Sequence, residues 1–286
     1  MEVKTPKTYE EQVQCIADKG FLIEDKDSCI TFLKKANYYR LSAYFLPFKK
    51  KDGSYFSNIS FHRIQKIYDF DSHIRALLFE TIEEIECYLR TQFSYYSAHT
   101  YGSMGYLEAD NFSQKHNKEK YDRKIQTSIE ENARTLVVKH HKEQYDGQFP
   151  IWVIIEFFSM GMLSYFYNDM KTADQKKLAK EMYGTSPTCL MSWLRCVTDL
   201  RNRCAHYSRL YYWMFPAMPK IPKDFVFTAD RKLFAQIAML KLLYVDNQKW
   251  NSNVVAGIEA LIEEFGEDIS LKHIGFPTNW KELLVK

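Results

Sequence analysis

Residues 60–98 carry an apolar repeat that only a long α-helix satisfies, and this repeat constrains the fold more than any other feature. At 100° per residue its apolar positions fall within one narrow arc: Ile64, Tyr68, Leu78, Ile82, Ile85, Leu89, Phe93 and Tyr96. Glycine and proline number only 10 and 8 of 286 residues, about half the usual frequency of each. Because tight turns are then few, sandwiches and barrels of many strands are disfavoured. The sequence predicts an all-α fold.

The chain divides into three predicted units. Residues 1–56 carry short helical patterns that end at a lysine- and glycine-containing turn, which predicts a small N-terminal helical unit. Residues 57–215 contain the long helix and the most apolar segment, and are the predicted core. Three prolines then mark a linker into a C-terminal helical extension, residues 216–286, where we expect two or three helices.

No segment of the sequence suggests a membrane or an export signal. A stretch of about 18 apolar residues, which a membrane-spanning helix needs, is missing, and the first residues lack the apolar core of a signal peptide. The six cysteines form no C-x-x-C pair, which disfavours a zinc ribbon and a disulfide scaffold. We therefore expect a cytoplasmic protein without a membrane partner. Its net charge of +3 means that any surface for nucleic acid must be local.

The segment 192–210 has a polar stripe opposite an apolar one when it is drawn as a helix that starts at Ser186-Pro187 and runs to about residue 209. The inward face comprises Trp193, Val197, Leu200, Cys204 and Tyr207. The opposite face comprises Arg195, Asp199, Asn202, His206 and Arg209. Arg201 lies on the flank, about 140° from His206 on an ideal helix. The two side chains therefore cannot easily grip one atom unless the helix end deforms, or unless a second copy of the helix supplies the missing partner.

Residues 200–206, with Arg201, Asn202 and His206, resemble the Arg-x4-His signature of HEPN-domain proteins. Other segments are similar to the AbiD/AbiF abortive-infection family of that superfamily, in the same order over about residues 8–215. These segments are Asn37 to Tyr44, Tyr68-Asp69-Phe70-Asp71 with Arg75, Ile85-Glu86 with Arg90, Pro150 and Trp152 with Glu156 and Gly161, and Ser192-Trp193-Leu194.

The resemblance implies an all-helical HEPN-type bundle, usually a homodimer with two signature helices side by side. It also implies RNA cleavage without a metal, in antiphage defence or a toxin–antitoxin setting, and in some relatives a partnership with a small structured RNA. No metal and no cofactor are expected.

The residue chemistry agrees with RNA cleavage. RNA carries its own nucleophile, the 2′-OH, and attack on the adjacent phosphate needs an acid and a base that titrate near neutral pH. We predict that His206 is the acid or base, that Arg201 clamps the phosphate, and that Asn202 orients one of them. Supporting roles are predicted for four other residues: Glu156, Arg195, Asp199 and Arg209.

Three buried or partly buried carboxylates are expected behind this set. Glu156 is the only charge in residues 151–167, which are apolar on every side and predict a central buried helix. A lone buried carboxylate must be paired or protonated, so Glu156 either anchors an arginine of the signature helix or forms a structural pair. Asp71 and Glu86 lie on the apolar arc of the long helix, and Asp71 and Arg75, four residues apart, favour a structural ion pair.

Basic residues alternate with aromatic ones in the N-terminal unit, as a surface for single-stranded RNA requires. The predicted RNA-binding residues are Lys34, Lys35, Tyr38, Tyr39, Arg40, Lys49, Lys50 and Lys51, although a place in the core is the favoured alternative for the tyrosine rings. The basic segment 115–142 is a second candidate. These surfaces leave two other readings open: a protein that binds or senses a structured RNA without cutting it, and a helical module that binds a protein.

Overall fold

A computed structural model of the chain describes residues 5–222 and 225–286; the remaining residues of the predicted units lie outside the described part. The all-α prediction is confirmed. The N-terminal region forms α1 (Tyr9–Ala17), α2 (Lys26–Lys35), α3 (Tyr38–Ser42) and a 3-10 segment (Ala43–Phe48). Two short strands, β1 (Phe21–Leu22) and β2 (Ile59–Ser60), pair in parallel with Phe21 opposite Ile59.

The predicted long helix is α4 (Phe61–Tyr101), 41 residues that run through the whole core. It begins where the Ser60 hydroxyl accepts a hydrogen bond from the Arg63 N–H (3.1 Å), and it ends at Gly102, whose φ of 80° suits a glycine. Six of the eight predicted apolar positions are buried, from Ile64 to Phe93, while Tyr68 and Tyr96 are only partly buried. Two 3-10 turns follow, Gly105–Leu107 and Ala109–Asn111, and then the basic segment as α5 (Lys118–Glu131) and α6 (Leu136–Gln144).

The predicted single helix over 151–167 is wrong. The segment forms α7 (Ile151–Ile154), a 3-10 turn (Ile155–Phe157) and α8 (Met160–Asp169). The break falls at Phe158, which is extended, because the Ser159 hydroxyl caps the next helix by accepting the Met162 N–H (3.3 Å). The predicted burial of Glu156 is wrong for the same reason: in the 3-10 turn its side chain is exposed.

The signature segment lies in α10 (Pro187–Ala205), which follows α9 (Thr172–Tyr183) after a left-handed Gly184. The start of α10 is as predicted: Ser186 accepts the Cys189 N–H (3.3 Å) and proline occupies the first turn. The helix packs mainly against α8 and α4, so it is the central element of the core.

The C-terminal region contains the helices that its patterns predict. They are α11 (Leu233–Leu243), α12 (Asn247–Lys249), which continues through a π segment (Trp250–Val255) into α13 (Ala256–Phe265), and α14 (Trp280–Leu284), with a 3-10 turn at Leu271–Ile274. Helix α11 is apolar on nearly all sides because it is enclosed by α4, α10 and α14. Across the described ranges, no helix is both long and apolar enough to span a bilayer.

Candidate active site

The inward face of α10 is buried almost as predicted. Trp193, Val197, Leu200 and Cys204 have at most 5% of their surface exposed. The opposite face leaves Arg195, Asn202 and His206 exposed, in agreement with the polar stripe. Tyr207 is the exception, since 69% of its surface is exposed and it does not belong to the core.

The reason for this exception is that α10 ends at Ala205, four residues earlier than predicted. Two hydrogen bonds close the end: the Tyr207 N–H donates to the Cys204 carbonyl (3.1 Å) and the Ser208 N–H to the Arg203 carbonyl (2.8 Å). This is a Schellman motif with Tyr207 at the left-handed position, φ 54°, where glycine is usual. His206 is therefore the cap residue, and the helix end departs from the ideal geometry at this position.

A fully buried carboxylate holds the chain that follows His206. Asp71 of α4 accepts hydrogen bonds from the backbone N–H groups of Leu210 (3.0 Å) and Tyr211 (2.6 Å), from the Tyr44 hydroxyl (2.6 Å) and from the Arg75 guanidinium. We call these groups the Asp71 cluster. Burial, together with the negative charge of Asp71, raises the pKa of Tyr44, so that the phenol stays a donor. The predicted ion pair of Asp71 and Arg75 is confirmed.

The N-terminal region also forms hydrogen bonds with the loop that follows His206. Arg40 of α3 donates to the Tyr207 carbonyl, and Arg209 donates to the Ala43 carbonyl (2.5 Å). Arg209 is thus half-buried against the N-terminal region and does not lie on the polar stripe of α10, which is a correction caused by the early helix end. Burial lowers the pKa of Arg209. Two elements distant in sequence therefore fix the backbone beside His206.

Arg201 is positioned by Glu86. The Arg201 Nε lies 3.5 Å from one oxygen of Glu86, and the Arg90 Nη2 lies 2.5 Å from the other. Arg90 also donates to the Phe158 carbonyl (2.9 Å), which ties this group to the break before α8. The Arg201 guanidinium sits 5.9 Å from the Phe79 ring centroid, and 31% of its side chain is exposed. These residues are the Glu86 cluster: Glu86, Arg90 and Arg201.

Glu86 thus has the contact with an arginine of α10 that was one of the two alternatives for Glu156. Its position on the apolar arc of α4, beside Arg90 one turn later, is the sequence signal that distinguishes it. Glu156 lacks that context because the helix expected around it is broken.

The other members of the polar stripe fall into two groups. Asp199 lies 3.6 Å from Arg203 Nε, and the Arg203 guanidinium is stacked 3.7 Å from the Trp213 ring centroid, a contact that sequence reasoning missed. Asn202 and His206 keep exposed side chains at the end of α10. Among the described residues, no three His, Cys, Asp or Glu side chains are grouped to hold a metal ion.

Half of the predicted RNA-binding residues line one groove in the N-terminal region. This N-terminal groove, of about 990 Å³, is bordered by Lys34, Lys35, Tyr38 and Tyr39, together with Tyr9, Lys7 and Lys19, which were not predicted. Lys19 donates to the Tyr38 hydroxyl (3.0 Å), and Lys34 lies 5.9 Å from the Tyr9 ring centroid. The exposed Lys49, Lys50 and Lys51 sit in the turn before β2, outside the groove.

Comparison with known proteins places the chain in a family. The family model described as Abi-like protein matches residues 31–212. The matched range extends from α2 to the loop after α10, so it contains both the Asp71 and the Glu86 clusters. Searches of curated proteins and of solved structures each found no match. The chain therefore belongs to the Abi-like protein family, a family of abortive-infection proteins.

Proposed function

We propose that the chain is a HEPN-type, metal-independent endoribonuclease of an abortive-infection or toxin–antitoxin antiphage system. The observation that supports it most is the end of α10: an exposed imidazole at a hydrogen-bonded helix cap, with an exposed amide and a partly exposed guanidinium on the preceding turn. Histidine and arginine are the side chains that proton transfer and phosphate neutralisation at neutral pH require.

The proposed reaction uses the ribose as the nucleophile. The 2′-oxygen attacks the adjacent phosphorus, the bond from phosphorus to the 5′-oxygen breaks, and a 2′,3′-cyclic phosphate and a 5′-hydroxyl result. His206 either takes the proton from the 2′-OH or gives one to the leaving 5′-oxygen. Arg201 compensates the charge that builds on the phosphate, and Asn202 orients the phosphate or the imidazole.

A homodimer completes this chemistry. One imidazole cannot be base and acid in the same step, so a single His206 leaves one of the two proton transfers without a group. A second copy with its α10 end alongside would supply a second imidazole and a second guanidinium. Activity per chain should then fall when the protein is diluted below the dissociation constant of the dimer, which sedimentation can measure independently.

The test is cleavage of total RNA by the full-length chain in EDTA, followed by analysis of the new ends. His206→Ala should lower the rate by about 10²–10⁴. His62→Ala, which removes an exposed histidine at the start of α4, is the matched control and should retain activity. The proposal fails if His206→Ala, shown to be folded, cleaves at the wild-type rate.

The alternative is a protein that binds a structured small RNA without cutting it, and the N-terminal groove favours it. Four lysines and three tyrosines border that groove, which is the combination that binds phosphates and stacks on bases. Recovery of one RNA of defined size with the untreated protein, with no cleavage under any condition, would select this alternative. The same groove could hold an inhibitory RNA if the chain is a nuclease.

A further inference from the structure

A second groove, which we call the Tyr165 groove, runs between α8 and the first half of α10. Its volume is about 780 Å³, and its lining includes Tyr165, Asn168, Ser192, Arg195, Met218 and Lys220. Its wall beyond α10 is the chain at 216–220, fixed because the Trp193 indole donates to the Lys220 carbonyl (2.7 Å) and the Lys220 N–H donates to Ser192 Oγ (3.0 Å). The groove is therefore a formed feature of the surface.

An exposed ring sits at one edge of this groove between cations. Tyr165 is 54% exposed, and its centroid lies 4.5 Å from Lys124 Nζ and 5.6 Å from Lys120 Nζ, both on α5. Across the groove, the Arg195 side chain is exposed on α10. An aromatic platform with several cations on its borders matches the chemistry of a base and its flanking phosphates.

The charges of α5 are distributed unevenly around this ring. Lys118 pairs with Asp122, and Arg123 lies 3.6 Å from Glu119, so both of these cations have carboxylate partners. Within the described chain, Lys120, Lys124 and Arg195 have no carboxylate at ion-pair distance. The cations beside the groove thus have no nearby carboxylate that competes with a ligand phosphate, whereas Lys118 and Arg123 each have one.

We infer that the Tyr165 groove binds a single-stranded RNA segment, with a base stacked on Tyr165 and phosphates on Lys120, Lys124 and Arg195. A base inside a duplex cannot use such a platform, because its faces are already stacked. Arg195 and Asn202 are seven residues apart on one face of α10, so the groove leads toward the helix end that carries His206. The link between the groove and His206 rests on the proposed function, whereas the binding of RNA in the groove does not.

The test measures binding of an oligouridine of about 12 nucleotides by fluorescence anisotropy at several salt concentrations. All variants are made in full-length His206→Ala protein, so that the probe stays intact. The double variant Lys120→Gln/Lys124→Gln is compared with Lys118→Gln/Arg123→Gln, which removes the same charge from the same helix. We expect the first pair to flatten the salt dependence by about 0.7 in log–log slope for each phosphate that is no longer neutralised, and the second pair to leave it unchanged.

Tyr165 supplies the second arm of the test. Tyr165→Ala should weaken binding about tenfold, whereas Tyr165→Phe should bind like the parent, because the ring and not the hydroxyl stacks. A duplex of the same length should be insensitive to both changes. The inference would be overturned if the two double variants had equal effects, or if Tyr165→Ala had no effect on RNA binding. It would also be overturned if the groove bound an acidic protein and the chain had no affinity for RNA.

The two proposals can fail separately. If RNA binding depends on the Tyr165 groove but the wild-type protein does not cleave RNA, the nuclease proposal is wrong and the binding proposal is supported. If cleavage requires His206 but the groove variants bind RNA like the parent, the binding proposal is wrong and the nuclease proposal is supported.

Discussion

The Asp71 cluster and the Glu86 cluster both lie on α4 and both reach the end of α10, yet they hold it in different ways. Asp71 is fully buried and binds the backbone that follows His206 through two N–H groups, besides a phenol and a guanidinium. Glu86 binds a side chain, and its contact with Arg201 is 3.5 Å long. The fold thus holds the backbone after His206 through buried hydrogen bonds, whereas it holds Arg201 through one longer side-chain contact.

The largest effect is expected from Asp71→Ala. This change leaves a buried guanidinium, a phenol and two backbone N–H groups without their acceptor, so unfolding should become easier by about 3–5 kcal/mol. Chemical denaturation of the full chain measures this value. A loss below about 1 kcal/mol would mean that the loop is held by other contacts and that the comparison is wrong.

Glu86→Gln should have a smaller effect on stability, about 1–3 kcal/mol, because Arg90 keeps the Phe158 carbonyl and Arg201 is partly exposed. Its effect on cleavage should exceed what the reduced stability explains. We expect a lower rate for the folded fraction, since Arg201 loses its anchor. Glu83→Gln, an exposed carboxylate on the same helix, is the matched control and should leave both quantities unchanged.

Elements that a local repeat defines could be predicted from the sequence. Contacts whose partners are distant in the chain could not. Most of the arc of α4 and four of the five inward positions of α10 follow from spacing alone, and so does the ion pair of Asp71 and Arg75. The end of α10 does not, because it depends on Asp71, more than 130 residues earlier in the chain, capturing the N–H groups of Leu210 and Tyr211.

The interchange of Glu156 and Glu86 has a similar cause. A run that is apolar on every side does not reveal where it breaks, and the break at Phe158 decides whether Glu156 is buried. Likewise, the Tyr165 groove joins residues of α5, α8 and α10, which no local pattern could bring together. Of the eight residues that the alternation of basic and aromatic residues singled out, four line the N-terminal groove, and its lysines at 7 and 19 were not among them.

Tyr207→Gly should stabilise the chain by about 0.5–1 kcal/mol, because glycine adopts a φ of 54° without strain. Thermal unfolding should show the gain. If the left-handed residue serves only to close the helix, cleavage should not change. A decrease in stability would show that the exposed ring of Tyr207 makes contacts that outweigh its backbone strain.

The smallest effect concerns pH. Burial lowers the pKa of His273, whose Nδ1 lies 2.9 Å from the hydroxyl of Tyr211, a residue of the loop held by Asp71. Near this pH the folded state then binds fewer protons than the unfolded state. The free energy of unfolding therefore keeps its full contribution from neutral His273 above about pH 6.5, and this contribution is lost as the pH falls below that value. His273→Gln should remove that part of the acid dependence. Identical pH profiles for the two chains would exclude His273 as its source.

The most direct test of the account is cleavage of one RNA with and without a single 2′-deoxy substitution at the position that the wild-type chain cuts. Cleavage by the 2′-oxygen predicts that the all-ribose substrate is cut in EDTA to a 2′,3′-cyclic phosphate and that the substituted one is spared at that position. His206→Ala should cut the all-ribose substrate more slowly by about 10²–10⁴. Equal cleavage of both substrates, or products with a 3′-hydroxyl, would contradict it.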